Sequence, residues 1–535
     1  MSPPAAYDVV IIGGGINGAG IARDAALRGL EVLLLEQNDF GSGTSSWSSR
    51  LIHGGLRYLE HGEFPLVYES LRERRVLQEI APHLVTRLRI NIPVYEHSKR
   101  GLLLLRAGMI AYDMLSLGKS LPNHKVLNRD EFLRNEPGVN PSGLRGGVQY
   151  YDAQIAYAER LVIENILAAH YAGAAVANYS PVTSIVVEKG RVERVVYCDR
   201  VTARETEVRA QVVVNASGPW VDEVLAKTTL PGRKLIGGTK GSHIVVGTFD
   251  GAPKDAFYVE ARSDGRPFFI IPWNGQYLIG TTDIRYDGDP AEAAASDGEI
   301  GYLLAETNRI FPQANLGTAD IHYTYAGVRP LPRRSAGPES AITRKHIIRR
   351  HENARGLWTV IGGKLTTYRS LAEDAVDRIV RRSGLEAGAC ITSEEALPGA
   401  VGFDGTGTSD RGLQISEEAR ARLPAIYGSR AAGIVELMRK EPGLAAEAGP
   451  GVLAAEVVFA IRFEFARTLI DILHRRTMAG LAPDLGRSSA AAVAAVAVAE
   501  LRWSEAETEQ QLAALRAYNE RLTPSEKKKG TDLFF

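Results

Sequence analysis

Six residues near the N-terminus, Gly13-Gly14-Gly15-Ile16-Asn17-Gly18, carry the strongest chemical signal in this chain. A short apolar run, residues 7–12, precedes them, and a segment patterned as a helix, residues 19–28, follows. A strand that turns at once into a helix aims backbone N–H groups at one point, and the positive helix end favours a pyrophosphate there. Gly13 permits the tight turn, Gly15 lets phosphates approach, and Gly18 lets helix and strand pack closely. Residues 31–35 read as a second strand closing on Glu36, where a carboxylate can accept both hydroxyls of a ribose. Strand, glycines, helix and acid fall in register, which predicts a dinucleotide site.

That loop does not separate FAD from NAD. Two distant segments bear on the choice. Residues 213–220 form an apolar run ending in the small residues Ala216-Ser217-Gly218, where backbone can pass close to a nucleotide. Residues 361–367, with Gly362-Gly363-Lys364-Leu365-Thr366, form a second strand–glycine–helix junction. Its N–H groups can meet the electron-rich pyrimidine edge of a reduced flavin. A plain loop of small residues is the other reading of each segment.

The elements that must position these junctions are patterned as follows. The 535 residues exceed one ordinary core, so two or three domains are expected. The 45% apolar and 24% charged composition is that of a globular protein. Residues 66–80 and 366–382 look helical. Beta-rich runs at 182–188, 192–199, 205–209 and 211–215, with a hairpin signal at Asn274-Gly275, suggest an antiparallel sheet beside the nucleotide domain. Residues 396–409 read as a Gly-rich linker, 417–518 as alanine-rich helices, and Lys527-Lys528-Lys529 as part of a polar tail. The formal net charge is zero, which removes a global electrostatic case for nucleic-acid binding. Cys198 and Cys390 are the only cysteines, too few for a four-cysteine iron–sulfur cluster or a Cys-rich zinc site, and a reducing compartment is the simplest reading. No metal site is expected. No signal peptide is read at the N-terminus, and the longest apolar stretch, 101–117, is interrupted by Arg106 and Asp113.

Taken together, several segments resemble the FAD-dependent glycerol-3-phosphate dehydrogenases, within the wider glycine/D-amino-acid oxidase-like flavoproteins. They are residues 11–24, 44–60 (with His53-Gly54-Gly55-Leu56-Arg57-Tyr58), 241–246, 279–283, 325–330, 341–344 and 362–369, in the family's order. Residues 463–478 are similar to the family's C-terminal capping domain. The resemblance implies an α/β fold: a Rossmann-like FAD-binding domain, an inserted antiparallel substrate domain and a C-terminal helical domain. Expected boundaries are 1–395 for the oxidoreductase region, with the insert drawn from roughly 85–110 and 240–345, and 396–535 for the helical part. It implies FAD contacts at Gly13, Gly15, Asn17, Gly18, Glu36, Thr44, Ser45, Ser46, His53, Gly54, Val182, Ala216, Gly218, Gly362, Gly363, Lys364, Leu365 and Thr366. No calcium-binding loop of the kind carried by mitochondrial relatives is found, nor the cysteine-rich extension of anaerobic ones.

The implied reaction oxidises sn-glycerol 3-phosphate to dihydroxyacetone phosphate by hydride transfer to FAD. A phosphate dianion needs several fixed cations, because one surface Lys is heavily screened. By the resemblance Arg57, Arg329, Arg344 and Lys364 line the substrate pocket, with Tyr58 as a hydroxyl donor. The hydroxyl proton needs a base, and His titrates near neutral pH. His243 is the first candidate and His53 the second, with no covalent flavin expected at His53. Arg329 is also placed to stabilise a developing alkoxide.

The expected acceptor is membrane quinone, with the protein cytoplasmic and peripheral on the inner face of the cell membrane. Residues 99–119 form a basic amphipathic stretch that fits an interfacial helix, and equally a helix packed on the core. Oxygen as acceptor is the close rival; a flavin-dependent RNA-modifying or RNA-binding protein is the distant one. Oligomeric state is open, with a homodimer among the options.

Overall fold

The computed structural model describes residues 6–60, 62–116, 121–228, 234–333, 345–405 and 413–527, the side chains of Arg57 and Glu60 excepted. Five strands lie parallel in the order Leu357–Ile361, Arg204–Asn215, Ala6–Ile12, Val32–Leu35, Ala175–Ala177. The central runs, residues 9–12, 32–35 and 212–214, are apolar without alternation because both faces are covered there. Ile11 and Leu34 pack on one side, and Val10 and Leu33 on the other. Ile347–Arg350 adds an antiparallel edge.

The helix Ile16–Leu27 starts directly after the first strand and packs against the helices Ala158–Tyr171 and Tyr368–Ser383. The sequence pattern puts Arg23, Asp24 and Arg28 on its polar side, yet all three are buried. The neighbouring segments supply their partners: Arg28 meets Asp24 at 2.8 Å and Asp377 at 2.6 Å, and Arg23 donates to the Thr392 and Glu395 carbonyls.

The beta-rich runs at 182–215 do not join the second sheet. Val182–Glu188 and Arg191–Asp199 form a hairpin that pairs with the first half of Arg204–Asn215, whose second half pairs in parallel with Ala6–Ile12. One unbroken strand serves two pairings. Strand propensity reports an extended run, not the edge it joins.

A second, ten-stranded mixed sheet carries the remaining strands. Its path runs Ile284–Arg285, Thr239–Val246, Gln276–Gly280, Pro267–Trp273, Ala256–Glu260, Val85–Tyr95, Leu144–Ile155, Leu51–Ile52, with Ile321–Arg329 also pairing with Thr239–Val246. All its pairs are antiparallel except Ala256–Glu260 with Val85–Tyr95. The expected hairpin turns at Asn274 and Gly275, both at positive φ, with Trp273 opposite Gln276. The sheet reaches beyond the segments expected for it, taking in Leu51–Ile52, Lys125–Asn128 and the long strand Leu144–Ile155.

After residue 390 the chain is helical, with helices Glu417–Tyr427, Ala431–Lys440, Ala454–Phe463, Ala490–Leu501 and Glu505–Leu522. Part of the linker (406–412) and Lys528 and Lys529 lie outside the described residues. A buried ionic cluster ties the helices to the nucleotide half. Asp39 meets Arg475 at 2.5 Å and Arg476 at 2.8 Å, and Glu464 meets Arg160 at 2.6 Å and Arg430 at 2.5 Å.

The amphipathic stretch forms the helix Leu102–Leu115. One side of it packs on the core and the other faces outward. Met109 and Tyr112 are buried on the core side. Leu103, Leu104, Ile110 and Met114 form the outer side, 83%, 63%, 47% and 63% exposed. Among the described residues no helix is long and apolar enough to cross a membrane.

Candidate active site

The first cleft lies along the C-terminal edge of the parallel strands. Gly13 has φ +111, and a Cβ there would meet Ala216 O at 2.7 Å. Gly18 abuts Gly13 O, where a Cβ would come within 1.9 Å, so its place is packing and not the cleft wall. Gly15 caps the helix at its N-terminus, and a Cβ there would meet only Ser45 Oγ, at 3.3 Å. Ser45 Oγ accepts the Ile16 N–H at 3.0 Å, closing the helix entrance. Glu36 takes the Gly14 N–H on one oxygen (2.7 Å) and the Asn38 N–H on the other (2.9 Å). Burial pushes its carboxyl up, against the downward pull of those N–H donors. Each oxygen keeps a lone pair for a ribose hydroxyl.

Asn17 joins the two glycine junctions. Its Nδ2 donates to Gly362 O at 3.1 Å, while its buried Oδ1 has no partner among the described residues. Thr44, Val182, Ala216, Gly218, Gly362, Gly363, Lys364 and Leu365 also line this cleft. Besides Gly18, two residues expected at the cofactor turn away from it. Ser46 is buried and donates to Gly41 O at 2.7 Å. The Gly54 N–H points to Tyr112 Oη (3.1 Å) and Asp152 Oδ1 (3.3 Å), because the chain must pack there against Tyr112 and Leu71.

A second cavity opens from the first. Thr44, Ser48, Pro330, Gly363, Lys364 and Leu365 border both. An elongated dinucleotide with a ring system at that seam fits this pair of spaces: acid at one end, helix N-terminus in the middle, glycine junction at the other. FAD has that shape.

The second cavity collects most of the candidate catalytic and substrate residues, His53, Tyr58, His243, Arg329 and Lys364, together with the expected cofactor contact Thr366. The Lys364 ammonium stands 3.7 Å from the centre of the Tyr58 ring, a cation–π contact. Arg329 ends a strand and is fixed by Asp283 Oδ1 at 3.0 Å, Thr281 Oγ1 at 3.1 Å and Thr282 O at 3.3 Å. Its charge is therefore partly offset before any anion arrives. The His53 N–H donates to Thr366 Oγ1 at 3.2 Å, and its ring sits edge-on to Phe269. Arg344 and the Arg57 side chain lie outside the described residues.

His243 sits in the middle of a fully buried strand, its ring tilted against the Tyr325 ring with centroids 4.8 Å apart. Burial, with Arg329 and Arg50 nearby, lowers its pKa to about 3. The imidazole is thus neutral near pH 7.

Among the cavity residues that escaped the sequence reading, three bear on the charges and the proton path. Arg266 adds a cation, held by the Asp283 carbonyl and near Asp264 at 3.6 Å. Asp283 fixes both Arg266 and Arg329. Ser49 bonds His243. Asp283 and Ser49 both lie inside matching segments, but nothing local distinguishes Ser49 from its neighbouring serines.

Residues 8–373 match the family model described as FAD dependent oxidoreductase. Residues 390–508 match the C-terminal domain of alpha-glycerophosphate oxidase. The chain is 45% identical to the glycerol-3-phosphate dehydrogenase of Synechocystis sp., over 96% of each chain. It is 37% identical to glycerol-3-phosphate dehydrogenase 2 of Mycobacterium tuberculosis, over 95% of this chain and 87% of that one. Among solved structures, the glycerol-3-phosphate dehydrogenase of Bacillus halodurans complexed with FAD superposes with a TM-score of 0.80 at 30% identity, covering 97% of this chain and 96% of that one. The nucleotide half and the helical C-terminal part thus share one known architecture. The chain belongs to the FAD-dependent oxidoreductases, in the family of the glycerol-3-phosphate dehydrogenases.

Proposed function

We propose that the protein oxidises sn-glycerol 3-phosphate to dihydroxyacetone phosphate and passes the electrons to membrane quinone. One observation carries the substrate reading: Lys364, Arg329 and Arg266 share a single cavity with a neutral histidine, at the inner end of the FAD cleft. Bound FAD supplies the two-electron acceptor. The chain's own groups divide the rest. Lys364, supported by Tyr58, and Arg329, held by Asp283, bind the phosphate dianion, with Arg344 and Arg57 as further cations. His243 takes up the hydroxyl proton. His53 and Thr366 shape the wall nearest the ring system.

Anaerobic addition of glycerol 3-phosphate is expected to bleach the flavin. Charged hydrogen bonds are worth about 2 kcal/mol, roughly 30-fold. Lys364→Ala should therefore raise KM for glycerol 3-phosphate by about that factor while changing KM for free glycerol much less. Equal losses on both substrates would remove Lys364 from the phosphate site, and failure to bleach would remove the substrate itself.

The quinone reading rests on the exposed apolar side of Leu102–Leu115, with Phe64 and Tyr68 also exposed on the adjoining helix Phe64–Ile80. Such a surface fits a bilayer interface on the inner face of the cell membrane. Replacing Leu104, Ile110 and Met114 by Ser should release the enzyme from anionic liposomes and slow reduction of a long-chain quinone. Soluble-dye activity should persist. Faster reoxidation by oxygen than by the quinone in the unmodified enzyme would favour an oxidase instead.

A further inference from the structure

His243 is enclosed on almost every side. It is 2% exposed, and even a Cβ at Gly280 would come within 2.5 Å of its Cδ2. Its Nδ1 is inaccessible and meets no partner among the described residues. Its Nε2 is held by Ser49 Oγ at 2.8 Å. One ring nitrogen is sealed and the other is already bonded, so the imidazole presents no nitrogen for a cavity molecule to meet directly. Ser49 is half-buried and lines the cavity.

We propose that Ser49 is the group that meets the substrate hydroxyl, and that it relays the proton to His243. This rests on the reading of His243 as proton acceptor given above. The steps balance. The substrate O–H bond breaks and its proton forms a new O–H bond on Ser49. The former Ser49 proton forms an N–H bond on His243 Nε2. The C–H electron pair and its hydrogen leave for oxidised FAD, the oxidant, and the C–O bond becomes a carbonyl.

Without substrate the surroundings of His243 oppose proton uptake, and a bound dianion relieves part of that opposition. In the Nδ1–H tautomer, which the relay requires, Nε2 accepts from the Ser49 hydroxyl without rearrangement. The low basicity of His243 arises first from burial and then from Arg329 and Arg50. A phosphate dianion arriving beside Arg329 opposes that cation's field, so the histidine gains basicity when substrate is bound.

The test compares Ser49→Ala, Ser49→Thr, His243→Ala and the double alanine variant as FAD-loaded proteins, with flavin content and melting temperature checked first. In anaerobic stopped flow, each single alanine variant should reduce flavin about 100-fold more slowly. Groups acting as one unit are not additive, so the double variant should be no slower than about threefold below either. Ser49→Thr keeps the hydroxyl and should recover at least roughly a tenth of the rate. In the resting enzyme, the 15N spectrum of His243 should shift at Nε2 in Ser49→Ala while flavin absorbance stays unchanged. A Ser49→Ala enzyme as fast as wild type, beside a slow His243→Ala, overturns the relay and leaves the histidine's role standing. Wild-type speed in His243→Ala overturns the histidine reading as well. An unchanged 15N spectrum would show that the two side chains are not bonded.

Discussion

Gly15→Val is expected to fold and to purify without its yellow colour. At Gly15 the backbone is ordinary, and an added Cβ touches only Ser45 Oγ, so the chain itself has room for a side chain. The room it would fill is the space at the helix N-terminus where the pyrophosphate must sit. Intrusion into a packed site of this kind costs about 3 kcal/mol or more, roughly 150-fold in affinity. Gly13→Ala is the contrasting control. It forces a side chain onto φ +111 and into the Ala216–Ser217 backbone, so it should lower the melting temperature as well as the flavin content. Absorbance at the flavin band, with heat release of free FAD, measures the outcome. A folded Gly15→Val protein with full flavin would mean that the phosphates lie elsewhere.

The parts of this fold that were legible in the sequence are those that local physics dictates. Ala6–Ile12, the glycines and Glu36 stand in one short segment, and so does the Asn274-Gly275 hairpin. Leu144–Ile155 was not legible, though three strands of its sheet pair with it. Gly146 and Gly147 weaken its strand pattern, and Gln149, Asp152 and Gln154 read as surface residues. Each has a distant partner: Gln149 donates to Asn91, Asp152 receives Arg74 and Tyr112, and Gln154 donates to the Pro272 carbonyl. A Cβ at Gly147 would strike Phe132 and the Ile92 carbonyl, so the glycine answers to packing. The serines at 45, 46 and 49 make the same point at the site. Ser45 caps a helix, Ser46 bonds a carbonyl away from the cleft, and Ser49 bonds His243. They are identical letters within one short segment, and only the path of the chain gives them different work.

Arg476→Ala should be the most damaging single change outside the two cavities. Arg476 is fully buried, grips Asp39 through two nitrogens at 2.9 and 2.8 Å, and donates to Glu464 O at 2.8 Å. Asp39 lies three residues beyond Glu36 and is flanked by Phe40, which packs against Gly14. The helical C-terminal part thereby holds the rim of the FAD cleft. Removing one member of a buried pair costs about 3–5 kcal/mol, because the remaining charge stays buried. A lowered melting temperature and flavin loss on dilution should appear together. Asp39→Leu combined with Arg476→Met should recover much of the loss, since an apolar replacement leaves no orphaned charge at that pair. The cluster also sets an acid limit. Burial pushes Asp39 and Glu464 up, but Arg476 and Arg475 hold Asp39 down to about 2, and Arg160 and Arg430 hold Glu464 down to about 2. Folded values below the unfolded ones mean that this stabilisation is complete above the ordinary carboxylate range. It is lost as pH falls through that range to the folded values. Melting curves from pH 7 to pH 3 should therefore fall steeply for wild type and less steeply for Asp39→Asn, which starts lower. An Arg476→Ala protein that melts with wild type and keeps its FAD would show that the helical part merely rests against the cleft.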